Sequence, residues 1–488
     1  MFPFGNGRVR ADTELRTFVP RRPAVRPTAG QKYLDTSARL PMEIFMTQNL
    51  EHRPLYASTF RCIGAECEDS CCQGMGVLVD KITYDKYQNL PEGNIRSLVQ
   101  IHVSLNTVDA SDTLYAKIQP TPANDCPFLA TDHLCGVQKE FGPEYLSATC
   151  SIYPRVLNSV NGELETSLYL SCPEAARLVL LNPYSTQAEG NVASSHFRTD
   201  QFSRMAGNHG AYPKPYSYFG EIQALVITLV RDRTRPMWHR LFLLGTLCCA
   251  LDAIKTEEQE KMVPGIIKDY WEIISTGALR SELEGLQANP ATQVDVVLRL
   301  IDQRIRAGEN RERFLECWQD FQEGIGYSQE SAPASDIQHF VEAEEKFCRP
   351  FFAQHPFILE NYLLNYVFRN LFPFGREASA HHVSQSILGE YMLMITQFTL
   401  VKGLLIGTAG RYRENFSTEH VVKVIQSFSK SVEHSPAFLQ ETTQFVTSRN
   451  LGTIAGFATL LASSEKTAVF VEAKHVAEVL PLVAELIA

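Results

Sequence analysis

Several features are missing from this 488-residue sequence, and each absence removes a class of protein. The start, "MFPFGNGRVRADTELRTFVPRRPAVRP", has charges and prolines but no continuous apolar stretch, so no secretory signal is expected. A reducing cytoplasm is then the expected compartment, where disulfides are rare. Positive charge is not in surplus: the net charge is −10, which argues against wholesale nucleic-acid binding. No tandem repeat is visible. No glycine-rich fingerprint follows a strand, so an ordinary doubly wound nucleotide fold is not expected. "GLLIGTAG" (403–410) carries glycines, but its context is helical and it reads as close helix packing. The most apolar stretch, Tyr391 to Ala409, is interrupted by Lys402 and flanked by Glu390 and Arg411. It reads as a buried helix rather than a transmembrane segment.

What is present is uneven. Residues 1–41 hold seven Arg and one Lys against three acids, and read as a disordered basic leader that Met42 or Met46 could replace as the start. The rest is acidic, which suits a lysine-bearing partner. Residues 42–185 mix periods. "GVLVDKITY" (76–84) and "ELETSLYLS" (163–171) alternate like strands. "GPEYLSATC" (142–150) reads as a short helix, and "SCPEAARLVLL" (171–181) as a helix with a Ser171–Glu174 capping box and Pro173 in its first turn. After a linker (186–215), residues 216–488 space their apolar residues at three and four. The expected fold is mainly α: a small cysteine-rich α+β metal-binding module followed by a larger all-helical domain.

Eight of the twelve cysteines lie between 62 and 172: Cys62, Cys67, Cys71, Cys72, Cys126, Cys135, Cys150 and Cys172. Thiolates hold zinc or iron–sulfur clusters when three or four converge on one point. Gly64, Gly74, Gly76 and Gly136 would let the backbone turn tightly there. Cys172 falls at a helix N-terminus, which favours the thiolate. A disulfide framework does not fit so long a chain without a secretory signal. Zinc and iron both stay open, as does the number of sites. The Cys-x3-Cys-x2-Cys pattern of radical enzymes is absent, because position 74 is glycine. Cys248, Cys249, Cys317 and Cys348 lie in helical apolar patterns and read as core residues.

The blocks "FRCIGAECEDSCCQG", "CPFLATDHLCGVQ", "LSATCSIYPR" and "SLYLSCPEAARL" resemble, in order, the flagellin lysine N-methylase family, part of a wider group of zinc- or iron-chelating cysteine-cluster proteins. "LVRDRTRPMWHRLFLLG", "ENYLLNYVFRNLFPF", "LVKGLLIGTA" and "VIQSFSKSVEH" extend the likeness over roughly residues 47–435. Met75 departs from it, standing where an aromatic residue is expected. The resemblance implies a cytoplasmic methyltransferase acting on lysine ε-amines of flagellin. It also implies S-adenosylmethionine as methyl donor and a 4Fe–4S cluster. The cluster ligands it implies are Cys62, Cys67, Cys71 and Cys72, with Cys126, Cys135, Cys150 and Cys172 as further metal candidates.

Polar residues outside the cysteine blocks also form a pattern. Glu360, Asn361, Tyr362, Asn365 and Tyr366 lie in "ENYLLNY", where positions 361 and 365 share a helix face. That face reads either as a pocket wall, with Glu360, Asn361, Tyr362 and Asn365 as catalytic candidates, or as a buried hydrogen-bond network. Arg155 suits a carboxylate such as that of the methyl donor, or a structural acid. Lys402 and His434 read as helix-surface residues. Two other functions stand beside the methyltransferase: a non-catalytic zinc- or iron-binding interaction protein, and an iron–sulfur oxidoreductase. The expected active cleft lies between the cysteine module and the helices.

Overall fold

Apolar residues at helical spacing put most of the chain into helices around one large core. The computed structural model describes residues 54–74, 76–107, 110–160, 163–187, 203–205, 215–284, 288–308, 312–328, 330–375, 386–433 and 435–463. The leader (1–41), the starts at Met42 and Met46, Met75, His434 and most of the linker lie outside the described residues.

The cysteine-rich part runs α1 (Leu55–Thr59), β1 (Val77–Val79), α2 (Lys81–Gln88), α3 (Asn94–His102), β2 (Val103–Leu105), β3 (Ala116–Ile118), α4 (Gly136–Phe141), α5 (Ala148–Ile152), β4 (Arg155–Val160), β5 (Glu163–Leu168), α6 (Pro173–Leu181) and β6 (Ser203–Met205). One antiparallel sheet has the order β1-β3-β2, with Val77 and Val103 both opposite Ile118. Val79, Tyr87, Ile95, Ala116, Phe128 and Val137 close a small core beside it. The other sheet has the order β5-β4-β6, with β4 antiparallel to β5 and parallel to β6.

β1 is shorter than the alternation over 76–84 suggests. Asp80 explains the difference: its carboxylate accepts from the Thr83 amide (3.0 Å) and hydroxyl (2.8 Å), capping α2 and coiling the chain. It also accepts from the Ala148 amide at 3.0 Å, which ties the Cys150-bearing α5 to this sheet. "GPEYLSATC" forms a 3₁₀ turn (Pro143–Tyr145) and then α5, rather than one helix. The Ser171–Glu174 capping box does not form. Cys172 occupies the N-cap position of α6 without a side-chain cap, Pro173 is the first helical residue, and the Ser171 hydroxyl pairs with that of Tyr153 at 3.0 Å.

The helical part comprises α7 (Phe219–Arg231), α8 (Met237–Asp252), α9 (Gln259–Thr276), α10 (Arg280–Glu284), α11 (Pro290–Arg306), α12 (Glu312–Ile325), α13 (Pro333–Ala343), α14 (Arg349–Gln354), α15 (Phe357–Asn370), α16 (Ile387–Tyr412), α17 (Thr418–Phe428), α18 (Pro436–Ser448) and α19 (Ile454–Leu461). Single π-turns sit at Glu344–Cys348 and Ser429–Glu433. α16 is long and apolar enough to cross a membrane by composition alone, but 94% of its apolar window is buried within the fold. Lys402 on it is not a surface residue: it pairs with Glu344 at 2.9 Å and is largely covered. Cys248, Cys317 and Cys348 are buried and Cys249 partly so, as core residues should be.

The large core also includes Tyr56, Phe60, Leu168, Leu170 and Val179, so both ends of the cysteine-rich segment pack on the helices. The glycines of "GLLIGTAG" permit backbone contact between α12 and α16. A Cβ on Gly324 would lie 1.7 Å from the Gly407 carbonyl oxygen. Because backbone must move, not a side-chain tip, Gly324→Ala should destabilise the fold by about 3 kcal/mol, read as a fall in the urea midpoint. An unchanged midpoint would show that the two helices separate freely.

Candidate metal centre

The first cysteine block folds as a loop because its glycines and short hydrogen bonds leave little alternative. Gly64 (φ +60°) and Gly74 (φ +71°) occupy the left-handed region. The Gly64 amide donates to the Cys62 sulfur at 3.4 Å, and the Cys67 thiol donates to the Asp69 carbonyl at 3.4 Å. The second block is stitched to the first: the Cys126 amide donates to the Cys72 carbonyl (2.7 Å), and Gly74 donates to the Asn124 carbonyl (2.9 Å). A further bridge between Leu129 and Cys135 folds residues 126–136 back on themselves. Cys150 lies on α5, and Cys172 at the N-cap position of α6.

These turns gather the thiols around Cys71 and Cys72. The thiols of Cys71, Cys72 and Cys126 lie close enough together to perturb one another's ionisation. Cys71 lies close enough to act electrostatically on Cys67, Cys135, Cys150 and Cys172. Cys62 sits at the edge, sharing Arg155 with Cys172. Cys150 is solvent-accessible, and crowding by the surrounding protein, then its neighbouring cysteines, pushes its thiol up to about 12. Burial likewise pushes Cys172 up to about 12. The neighbouring Cys126 thiol is the main cause for Cys72, also at about 12. The thiols thus repel one another's ionisation, and Lys430 is the cation that favours a Cys71 thiolate.

Among the described residues, no three His, Cys, Asp or Glu side chains are gathered tightly enough to hold a metal ion as they stand. The donor chemistry nevertheless fits a soft centre, since the converging groups are all thiols, without histidine.

Acidic residues between the cysteines moor the loop to the helical body. Asp69 pairs with Lys430, whose side chain is 2% exposed. Lys430 also donates to the Ser70 carbonyl at 2.9 Å. Gln426 donates to Asp69 at 2.6 Å and to the Ser171 carbonyl at 2.9 Å. Glu68 takes both amino groups of Arg177, at 2.7 and 3.1 Å. None of Glu68, Asp69, Gln426 or Lys430 stands out in the sequence reading. The signal was there: two acids interrupt "CEDSCC", and a lysine follows an apolar helix in "VIQSFSK".

The other candidates divide. Arg155 donates to the Phe60 carbonyl at 3.3 Å and lies over the Phe60 ring, beside Cys62 and Cys172. Glu360 is buried and takes a two-pronged bond from Arg233 (2.9 Å each) and one from Arg240 (3.3 Å). Asn361 donates to the Asn182 carbonyl (2.9 Å) and accepts from Thr186 (3.2 Å). Asn365 donates to the Leu168 carbonyl at 3.0 Å. Thus α15 is joined to the cysteine-rich segment by hydrogen bonds through Asn361 and Asn365, and Glu360 anchors an arginine pair. Tyr362 and Tyr366 are buried on the same helix.

Residues 223–460 match the FliB lysine N-methylase C-terminal domain. A lysine-N-methylase of Salmonella typhimurium is 23% identical over 395 residues, covering 78% of this chain and 91% of its own. The flagellar biosynthetic protein FliU of Salmonella muenchen is 36% identical over 130 residues, 27% of this chain and 76% of its own. No solved structure matches.

Proposed function

The chain belongs to the flagellin lysine N-methylase family, and on that premise we propose that it is an S-adenosylmethionine-dependent protein-lysine N-methyltransferase with an iron–sulfur centre on its cysteines. Flagellin, or another lysine-bearing protein, is the proposed substrate. The observation that carries this reading is the web of thiols around Cys71 and Cys72, moored by Lys430 to a helical body that matches the methylase domain. The ligands would come from Cys67, Cys71, Cys72, Cys126, Cys135, Cys150 and Cys172, with Cys62 at the rim. Bound there, a cluster would supply one-electron chemistry. The residues around it have a separate task. Lysine must lose its proton before it attacks the methyl group, and desolvation against the protein would lower its pKa toward that state.

Anaerobic purification tests the centre. The protein should be brown, contain iron and acid-labile sulfide, and bleach in air. Cys71→Ser should remove colour and methyl transfer together. A colourless anaerobic protein with stoichiometric zinc and no sulfide would instead favour the non-catalytic metal-binding reading.

A further inference from the structure

Among the described residues, one atom of a buried ion pair and three buried polar atoms near it lack a hydrogen-bond partner, where the cysteine-rich segment meets the helices. Tyr362, Asn365, Tyr366 and Arg369 form a stripe on α15 at helical spacing. Arg369 pairs with Glu433 of the second π-turn, and both side chains are about 5% exposed or less. The faces of Tyr169 and Tyr366 flank its guanidinium, at 5.4 and 5.7 Å. Tyr56 of α1 feels the Arg369 charge from another side. Among the described residues the buried Tyr56 hydroxyl, Tyr362 hydroxyl, Asn365 Oδ1 and Arg369 Nε find no hydrogen-bond partner. Buried polar atoms left so are costly, and they are rare in native proteins unless a water or ligand completes them.

The orphan atoms also specify what would complete them. Arg369 Nε requires an acceptor, and Asn365 Oδ1 requires a donor. The two phenols serve as either. An acceptor and a donor on one small molecule describe an α-carboxylate and an α-ammonium. We propose that this cluster binds the amino-acid end of the methyl donor. The inference rests on the methyl-transfer reading above and adds a location to it. The π-turn also suits such a role: it carries Glu433 into the cluster and Lys430 onto the cysteine loop, so one turn serves both places. Such turns recur at functional sites.

The test uses the full chain, purified anaerobically, with S-adenosylhomocysteine as probe and adenosine as control. Tyr56→Phe and Tyr362→Phe each remove one orphan hydroxyl and keep the ring. Each should weaken S-adenosylhomocysteine binding about five- to tenfold by calorimetry. Adenosine, which lacks the amino-acid end, should lose nothing. Without probe, the thermal midpoints should hold or rise, because an unpaired buried hydroxyl has been deleted. Unchanged probe affinity in both variants overturns the proposal. So does a lower midpoint with affinity retained, which would mean that ordered water satisfies the hydroxyls. If the wild-type protein binds no S-adenosylhomocysteine, the methyl-transfer reading itself fails.

Discussion

Lys430→Met is expected to empty the cysteine loop of its cofactor and to cost about 3–5 kcal/mol of stability. The lysine side chain is 2% exposed and its partner Asp69 is 14% exposed, so the loss leaves a covered carboxylate without its counter-charge. The Ser70 carbonyl loses its donor as well. Asp69 and Ser70 directly precede Cys71, so the segment that moves is the one that presents the central thiols. Iron per chain after anaerobic purification and the urea midpoint should fall together. Lys430→Arg should restore little, since a planar fork does not replace a compact ammonium serving a carboxylate and a carbonyl. Full iron content in the methionine variant would show that the loop holds its shape without this anchor.

Glu360→Gln should destabilise the protein by about 3 kcal/mol and leave methyl transfer per folded molecule intact. Its carboxylate answers Arg233 and Arg240. Arg233 is half exposed and can turn to water. Arg240 is 7% exposed, and burial already holds its pKa down while Glu360 supports its charge. The neutral amide removes that support and strands the guanidinium. Thermal midpoint and specific activity, measured on the same preparation, separate the effects. A stable but inactive variant would return Glu360 to the catalytic candidates.

The main helices were legible because they are long and periodic, from "YFGEIQALVITLVRD" to "EHVVKVIQSFSKSVE". Short elements misled wherever one side chain decided the outcome. Asp80 turned an apparent strand into a helix start, and Tyr153 claimed the serine that would have capped α6. The cysteine spacing singled out eight thiols but not that Cys71 and Cys72 stand at their centre, since that depends on bridges such as Gln73 to Asp125. The "ENYLLNY" stripe showed polar residues at helical spacing. It did not show that Asn361 faces a backbone carbonyl, while the buried Tyr362 hydroxyl lies near Glu433 and Arg369 with no hydrogen-bond partner among the described residues. Asn182 and Glu433 lie far away along the chain, and pairing at such range leaves no local period to read.

The most direct measurement is mass spectrometry of flagellin incubated with anaerobically purified protein and deuteromethyl-labelled S-adenosylmethionine. Labelled methyl groups should appear on lysine ε-amines, and should disappear with Cys71→Ser. Unlabelled lysines after incubation with iron-replete protein, while the flagellin remains folded and accessible, would contradict the assignment of this chain as a flagellin methyltransferase.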